Sequence, residues 1–332
     1  MMKTQEVLAA LGPLAPLYED PDVREIMVDA PDTVYVERHG KLEATDVQFD
    51  SPEALRAVID GMLVLAGIIL NPENPIGEMR LPDDARLLVV IPPTALNSPT
   101  LVIRKPSPDK MTWERLFEYG SVTPEARDFL QNAINARVNT LIAGGPASGK
   151  TTVANMLAEM IPTDQRIVVV EQTHEMRIDH PHRVWLEAGG PANLTLADLL
   201  ETASRMRPDW LIVGEMLGGE AMRAMQVMSL GYNGITLIHA TSPEDALSRL
   251  ETFCLMANLG LGLTEIRRLI ASVFQLITYQ ELRPDGRRKF MQFVELVGLE
   301  GDLRYKLRPL FRFNADKNVL EHTGEHPAWE KR

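Results

Sequence analysis

Apolar residues fall along this chain in two rhythms. In the N-terminal third they come as short runs broken by turn-formers. Ile26-Met27-Val28 and Val34-Tyr35-Val36 flank Asp29-Ala30-Pro31-Asp32, which predicts a pair of strands joined as a hairpin. Ser51-Pro52-Glu53 predicts a helix start, with serine as N-cap and proline at the first helical position, and the helix runs on toward Leu63. Residues 86–91 and 101–103 predict further strands, separated by Pro92-Pro93 and Asn97-Ser98-Pro99. From residue 122 onward the pattern changes. Short runs rich in apolar and β-branched residues at 140–143, 167–170, 211–213 and 235–238 alternate with helical periodicity. Between the first two, Val153, Met156, Leu157, Met160 and Ile161 recur at i, i+3, i+4, i+7 and i+8. Thr123-Pro124-Glu125 and Ser242-Pro243-Glu244-Asp245 predict two more helix starts, the second with Asp245 placed to close a capping box. Short buried strands alternating with helices predict an α/β fold whose parallel sheet is covered on both faces.

Length supports a division where the rhythm changes: 332 residues at roughly 150 per domain give two domains. The polar cluster of Pro106, Pro108, Asp109 and Gly120 predicts the boundary. The expected organisation is therefore an α+β domain over 1–105, a linker over 106–121 and an α/β domain over 122–332. Charge and cysteine content narrow the function classes. A net charge of −12 and 6% aromatic residues argue against a nucleic-acid-coating surface or stacking track. One cysteine, Cys254, excludes an intramolecular disulfide framework and any cysteine-based zinc site, so a reducing compartment is expected. The longest apolar stretch falls far short of the roughly 20 residues of a spanning helix. The N-terminus lacks a secretory pattern, and a cytoplasmic protein is expected.

The chemistry is most legible between residues 140 and 161. Gly144-Gly145-Pro146-Ala147-Ser148-Gly149-Lys150-Thr151, with Thr152 following, matches G-x-x-x-x-G-K-[ST] in full, between an apolar strand and an amphipathic helix. Such a loop turns backbone N–H groups and a helix N-terminus toward phosphate oxygens. Lys150 is placed to reach the β- and γ-phosphates of ATP, and the Thr151 hydroxyl to ligate Mg²⁺. Hydrolysis needs a carboxylate as well. Trp210-Leu211-Ile212-Val213-Gly214-Glu215 is an apolar strand that ends in glycine and then acid; residues 167–171 form a second, tipped by Glu171, with Glu175 four residues on. Parallel strands present their C-terminal ends together, so both acids are expected at the sheet edge that carries the phosphate loop.

Together these residues resemble the type II/IV secretion system ATPase superfamily. The phosphate loop, the acidic box Glu171 to Glu175, the segment Arg205-Met206-Arg207-Pro208-Asp209…Gly214-Glu215 and a histidine box ending at His239 recur in that family's order. Arg80-Leu81-Pro82-Asp83, Ile91-Pro92-Pro93 and Asp245-Ala246-Leu247-Ser248-Arg249-Leu250-Glu251 are most similar to its tight-adherence (Flp-type) pilus branch. The resemblance implies a RecA-like motor domain with a smaller N-terminal α+β domain, hydrolysing ATP with Mg²⁺. It implies that Glu215 polarises the attacking water, that Glu171 and Glu175 support metal and water, and that Thr151, Glu171 and Glu215 surround the metal. His239 would sense the γ-phosphate, and Arg80, Arg86 and Arg104 would close over the nucleotide. It further implies a homo-hexamer at the cytoplasmic side of the inner membrane, peripheral to it through a polytopic platform protein and without direct nucleic-acid contact.

The chain departs from the family pattern at Gln172, Leu217, Tyr232 and Pro146-Ala147. A slow or partner-activated ATPase is expected, and two alternatives stay open: a conjugative or DNA-translocating relative, and a non-hydrolysing regulatory paralogue. Other signals have plain readings. His174, His180 and His182 lack metal-site spacing, and Met222, Met225 and Met228 predict core packing. Residues 283–289 predict a solvated hairpin turn, Arg267-Arg268 an exposed helix face, and residues 321–332 a poorly ordered tail.

Overall fold

The computed structural model describes residues 4–38, 41–106, 111–190 and 192–331. The chain divides into two compact units, Met1–Lys110 and Met111–Arg332.

In the first unit, α1 (Thr4–Leu11) and α2 (Ala15–Glu19) precede β1 (Val23–Ala30), β2 (Thr33–Arg38) and β3 (Lys41–Ala44). Then come α3 (Pro52–Val64), β4 (Ile76–Arg80), β5 (Arg86–Val90) and β6 (Thr100–Arg104). The six strands form one antiparallel sheet in the order β3-β2-β1-β6-β5-β4. Alternation assigns its faces: Ile26, Val28, Leu87 and Ile103 turn inward onto Leu11, Leu55 and Ile59 of the helices. The Ser51 hydroxyl accepts from the Ala54 amide and caps α3 as expected. Strands β3 and β4 carry no apolar run; β3 is exposed throughout, and pairing with a neighbour, not hydrophobicity, makes it a strand.

The second unit holds α4 (Trp113–Glu118), α5 (Pro124–Asn135), β7 (Thr140–Gly144), α6 (Lys150–Glu159), β8 (Ile167–Glu171), β9 (Arg183–Glu187), α7 (Leu196–Ser204) and β10 (Trp210–Met216). It continues with α8 (Glu220–Ser229), β11 (Asn233–His239), α9 (Pro243–Met256), α10 (Leu263–Val273), β12 (Leu276–Leu282), β13 (Arg288–Glu300), β14 (Arg304–Asn314) and β15 (Val319–His322). Its sheet has nine strands, ordered β15-β14-β13-β12-β7-β11-β10-β8-β9. From β12 to β9 all neighbours are parallel; β12 to β15 form an antiparallel meander. Each central strand feeds two cores. Leu141, Val168 and Leu211 face α7 to α10, while Ile142, Val169 and Ile212 face α5 and α6. Burial on both sides explains why these strands read as unbroken apolar runs.

Three expectations differ from what folds. Within the segment 106–121, residues 107–110 lie outside the described residues. Residues 113–118 form α4, capped by the Thr112 hydroxyl, and Leu116 is buried in the second unit's core. The tail is ordered rather than loose: β15 pairs with β14, and Trp329 packs 5.4 Å from Phe129, an apolar anchor that the polar sequence around it conceals. Asp245 does not close a capping box on Ser242; its carboxylate accepts from the Thr241 amide at 2.8 Å, one residue further back.

Candidate nucleotide site

The phosphate loop connects β7, the central parallel strand, to α6. Gly149 caps α6 at φ 95°, ψ 19°, a left-handed conformation that glycine adopts without strain. Gly144 is required for a different reason: a Cβ there would lie 2.6 Å from the Gln280 carbonyl oxygen. The loop is thus folded tightly against β12, and Ser148 Oγ is buried within it without a hydrogen-bond partner among the described residues.

Parallel register delivers the functional side chains to this loop. His239 pairs with Gly144 across β11 and β7, and Glu215 lies beside Leu237 on β10 after a bulge at Gly214. Lys150, 7% exposed, is held by both of them and by its own loop. Its Nζ donates to the Gly145 carbonyl at 3.1 Å and to His239 Nδ1 at 3.0 Å, and stands 3.4 Å from Glu215 Oε1. An ammonium can only donate, so Nδ1 is the accepting nitrogen and the His239 proton sits on Nε2. That Nε2–H donates to Glu215 Oε2 at 2.9 Å. The second carboxylate oxygen, Oε1, is buried yet hydrogen-bonded to none of the described residues. Burial lowers the Lys150 pKa, and the Glu215 and Glu175 carboxylates oppose that shift.

Glu171 is at the same sheet edge with a different environment. It is 3% exposed. Its Oε1 accepts from the Glu175 and Met176 amides at 2.9 and 3.0 Å, and its Oε2 faces His174 Nδ1 at 3.0 Å. Both oxygens are engaged with the loop 172–176, through the amides of residues 175 and 176 and the imidazole of His174. Glu175 is exposed and acts on Lys150 through charge.

Thr151 and Thr152 stand half-buried in the first turn of α6. Two orphaned buried oxygens, Ser148 Oγ and Glu215 Oε1, beside an ammonium and a helix N-terminus fit a polyphosphate with a metal ion. Among the described residues no group of three or more His, Cys, Asp or Glu could hold a metal unaided. Phosphate oxygens would have to complete the shell, with the Thr151 hydroxyl and the Glu215 carboxylate as the protein's share.

The three expected arginines belong to the first unit. Arg80 pairs with Arg86, and Arg86 with Arg104, across β4, β5 and β6. They form one row of cations on the face opposite that unit's core. Residues 283–289 do form the expected hairpin turn, yet their last two side chains are not simply solvated. Arg288 Nε donates to the Ala147 carbonyl at 2.8 Å, and Lys289 is buried with Nζ 2.7 Å from the Gly120 carbonyl. Gln280 donates to the Ser148 carbonyl at 3.2 Å. These loop contacts carry no motif; only the pairing of β7 with β12 reveals them.

The model of the family described as "Type II/IV secretion system protein" matches residues 8–298. The type IV secretion system protein VirB11 of Brucella suis is 31% identical over 302 residues, 81% of this chain and 84% of that protein. A Mycobacterium tuberculosis protein provisionally named for conjugal transfer is 28% identical over 329 residues, covering 96% of this chain and 92% of its own. Among solved structures, the Legionella pneumophila ATPase DotB superposes with a TM-score of 0.60 at 18% identity, over 85% of this chain and 79% of that one. The pilus retraction motor PilT with bound ADP gives 0.57 at 16%, over 96% and 85%. At these identities the two structures bear on fold.

Proposed function

Because the chain belongs to the type II/IV secretion system protein family, we propose that it is an ATP-hydrolysing RecA-like motor whose reaction is run by Lys150, Glu215 and His239. The observation that carries this reading is the convergence of those three side chains on the phosphate loop, with one Glu215 oxygen facing the Lys150 ammonium outside any hydrogen bond. The γ-phosphate of ATP offers Lys150 a stronger acceptor than Gly145 or His239, so binding frees both. Glu215 then accepts a proton from the water that attacks the γ-phosphorus as the bond to the β–γ bridging oxygen breaks and ADP leaves. A bound Mg²⁺ would neutralise charge on the β- and γ-oxygens. His239, released by Lys150 and still tied to Glu215, is suited to register whether the γ-phosphate is present. Loop amides at 144–149 and the Thr151-Thr152 turn cradle the phosphates.

Arg80, Arg86 and Arg104 supply cations that close over the triphosphate, a role supported by their shared row and by the physics of guanidinium on phosphoryl oxygens. Closure of one unit on the other would turn each cycle into a rigid-body movement. The setting we propose is a homo-hexamer at the cytoplasmic face of the inner membrane. There it works with a polytopic platform protein to power type IV, tight-adherence-like pilus assembly or related secretion. The names of the relatives support the secretion part of that reading. No helix among the described residues is long and apolar enough to cross a membrane.

Phosphate release by the purified chain, with and without Mg²⁺, tests the activity. Turnover that needs Mg²⁺ and drops about a hundredfold or more in Glu215→Gln is expected. Equal, negligible rates in both proteins would leave a nucleotide-binding regulator, and stimulation by single-stranded DNA would favour a DNA motor.

A further inference from the structure

The hairpin linking β12 to β13 reaches the phosphate loop from its outer side. Gln280 Nε2 donates to the Ser148 carbonyl at 3.2 Å and Arg288 Nε to the Ala147 carbonyl at 2.8 Å. Gln280 is 2% exposed, so its amide is a buried donor aimed at one loop oxygen. Beside Arg288, Lys289 anchors the same hairpin to the Gly120 carbonyl at 2.7 Å. Packing leaves the loop little freedom at this edge. A Cβ on Gly149 would stand 3.2 Å from Arg288 Cδ and 3.6 Å from Gln280 Nε2.

A phosphate loop binds anions when its amides converge inward, which obliges neighbouring carbonyls to point outward. Outward carbonyls in an irregular segment have no ladder to pair them and need other donors. At two consecutive residues of this loop the donors are side chains of β12 and β13. Pro146 removes one amide from the cradle, so the orientation of the remaining ones matters more.

We propose that Gln280 and Arg288 are positioning residues for the phosphate loop, holding the Ala147 and Ser148 carbonyls outward so that the loop amides face the triphosphate before it arrives. The proposal rests on the nucleotide-binding reading above and adds to it a brace supplied by a strand pair some 130 residues away in sequence.

The test uses the full chain, a fluorescent non-hydrolysable ATP analogue with Mg²⁺, and hydrogen–deuterium exchange of the nucleotide-free protein. Arg288→Ala and Gln280→Leu are each expected to weaken analogue affinity about three- to tenfold, the worth of one hydrogen bond. Both are also expected to speed exchange at the loop amides, with a larger effect on KM than on kcat. Gln280 is uncharged, so its loss cannot act through attraction for phosphate. Arg288→Lys, which keeps a donor, should recover part of the affinity. Wild-type affinity or unchanged loop exchange in the variants overturns the proposal while leaving nucleotide binding intact. If the wild-type chain itself binds no nucleotide, the site reading fails and the proposal with it. Should Gln280→Leu not fold, the exposed Arg288→Ala decides.

Discussion

Two strand ends at one sheet edge look alike in sequence and do different things in the fold. β8 and β10 are both unbroken apolar strands, neighbours in the sheet, and each carries a glutamate near its C-terminal end. At Glu171 the following backbone turns back over the carboxylate and presents two amides to it, while His174 covers the other oxygen. At Glu215 the strand bulges at Gly214 and runs on to Met216, so no amide turns back. One oxygen meets His239, and the other faces Lys150 without a hydrogen bond. Glu171 is buried with both oxygens engaged by a loop; Glu215 is more open and has one oxygen outside any hydrogen bond, which suits it better to take a proton. What distinguishes the two acids is the course of the backbone in the next few residues.

The comparison breaks most sharply on turnover. Glu215→Gln should cost about a hundredfold or more in phosphate release, whereas Glu171→Gln should cost less than about tenfold, read side by side at saturating Mg-ATP. Equal losses would mean that both acids meet the reacting atoms.

Stability should rank them the other way. Glu171→Ala leaves the Glu175 and Met176 amides without their acceptor and should lower unfolding free energy by about 2–3 kcal/mol in a denaturant titration. Gly214→Ala sharpens the same point, because a Cβ at 214 would stand 3.2 Å from Glu171 Cγ. A cost of about 1–2 kcal/mol from crowding is expected.

The smallest effect lies in pH dependence. Glu215 is among the charges that hold the Lys150 ammonium against the pull of burial, and Glu171 is not. Removing the 215 charge lowers the Lys150 pKa further. The alkaline loss of nucleotide affinity should therefore begin at lower pH in Glu215→Gln and stay in place in Glu171→Gln. Since the folded-state pKa lies below that of the unfolded chain, folding stability gains from this lysine as pH rises through the interval between them. The interval widens downward in Glu215→Gln.

Sequence carried the strands that have apolar runs, the caps at Ser51, Thr123 and Ser242 and the phosphate loop, because each is written in residues close together. Lys150, Glu215 and His239 could be named from their motifs, and parallel topology brings them together as expected. What stayed hidden depends on pairing across long separations. The hairpin at 283–289 looks solvated until β12 is seen beside β7, and Trp329 looks like part of a loose tail until β15 pairs with β14. The surroundings of Glu171 are hidden for a related reason: nothing in its residue type tells whether the next amides return to cover it.

The most direct test is an experimental structure of the chain with Mg²⁺ and a non-hydrolysable ATP analogue. The expected result is Lys150 Nζ moved from Gly145 and His239 onto the β- and γ-oxygens, the Glu215 carboxylate facing the γ-phosphate, and Glu171 still bonded to the 175 and 176 amides. A triphosphate bound with Lys150 unmoved, or with Glu171 in place of Glu215 at the γ-phosphate, would contradict it.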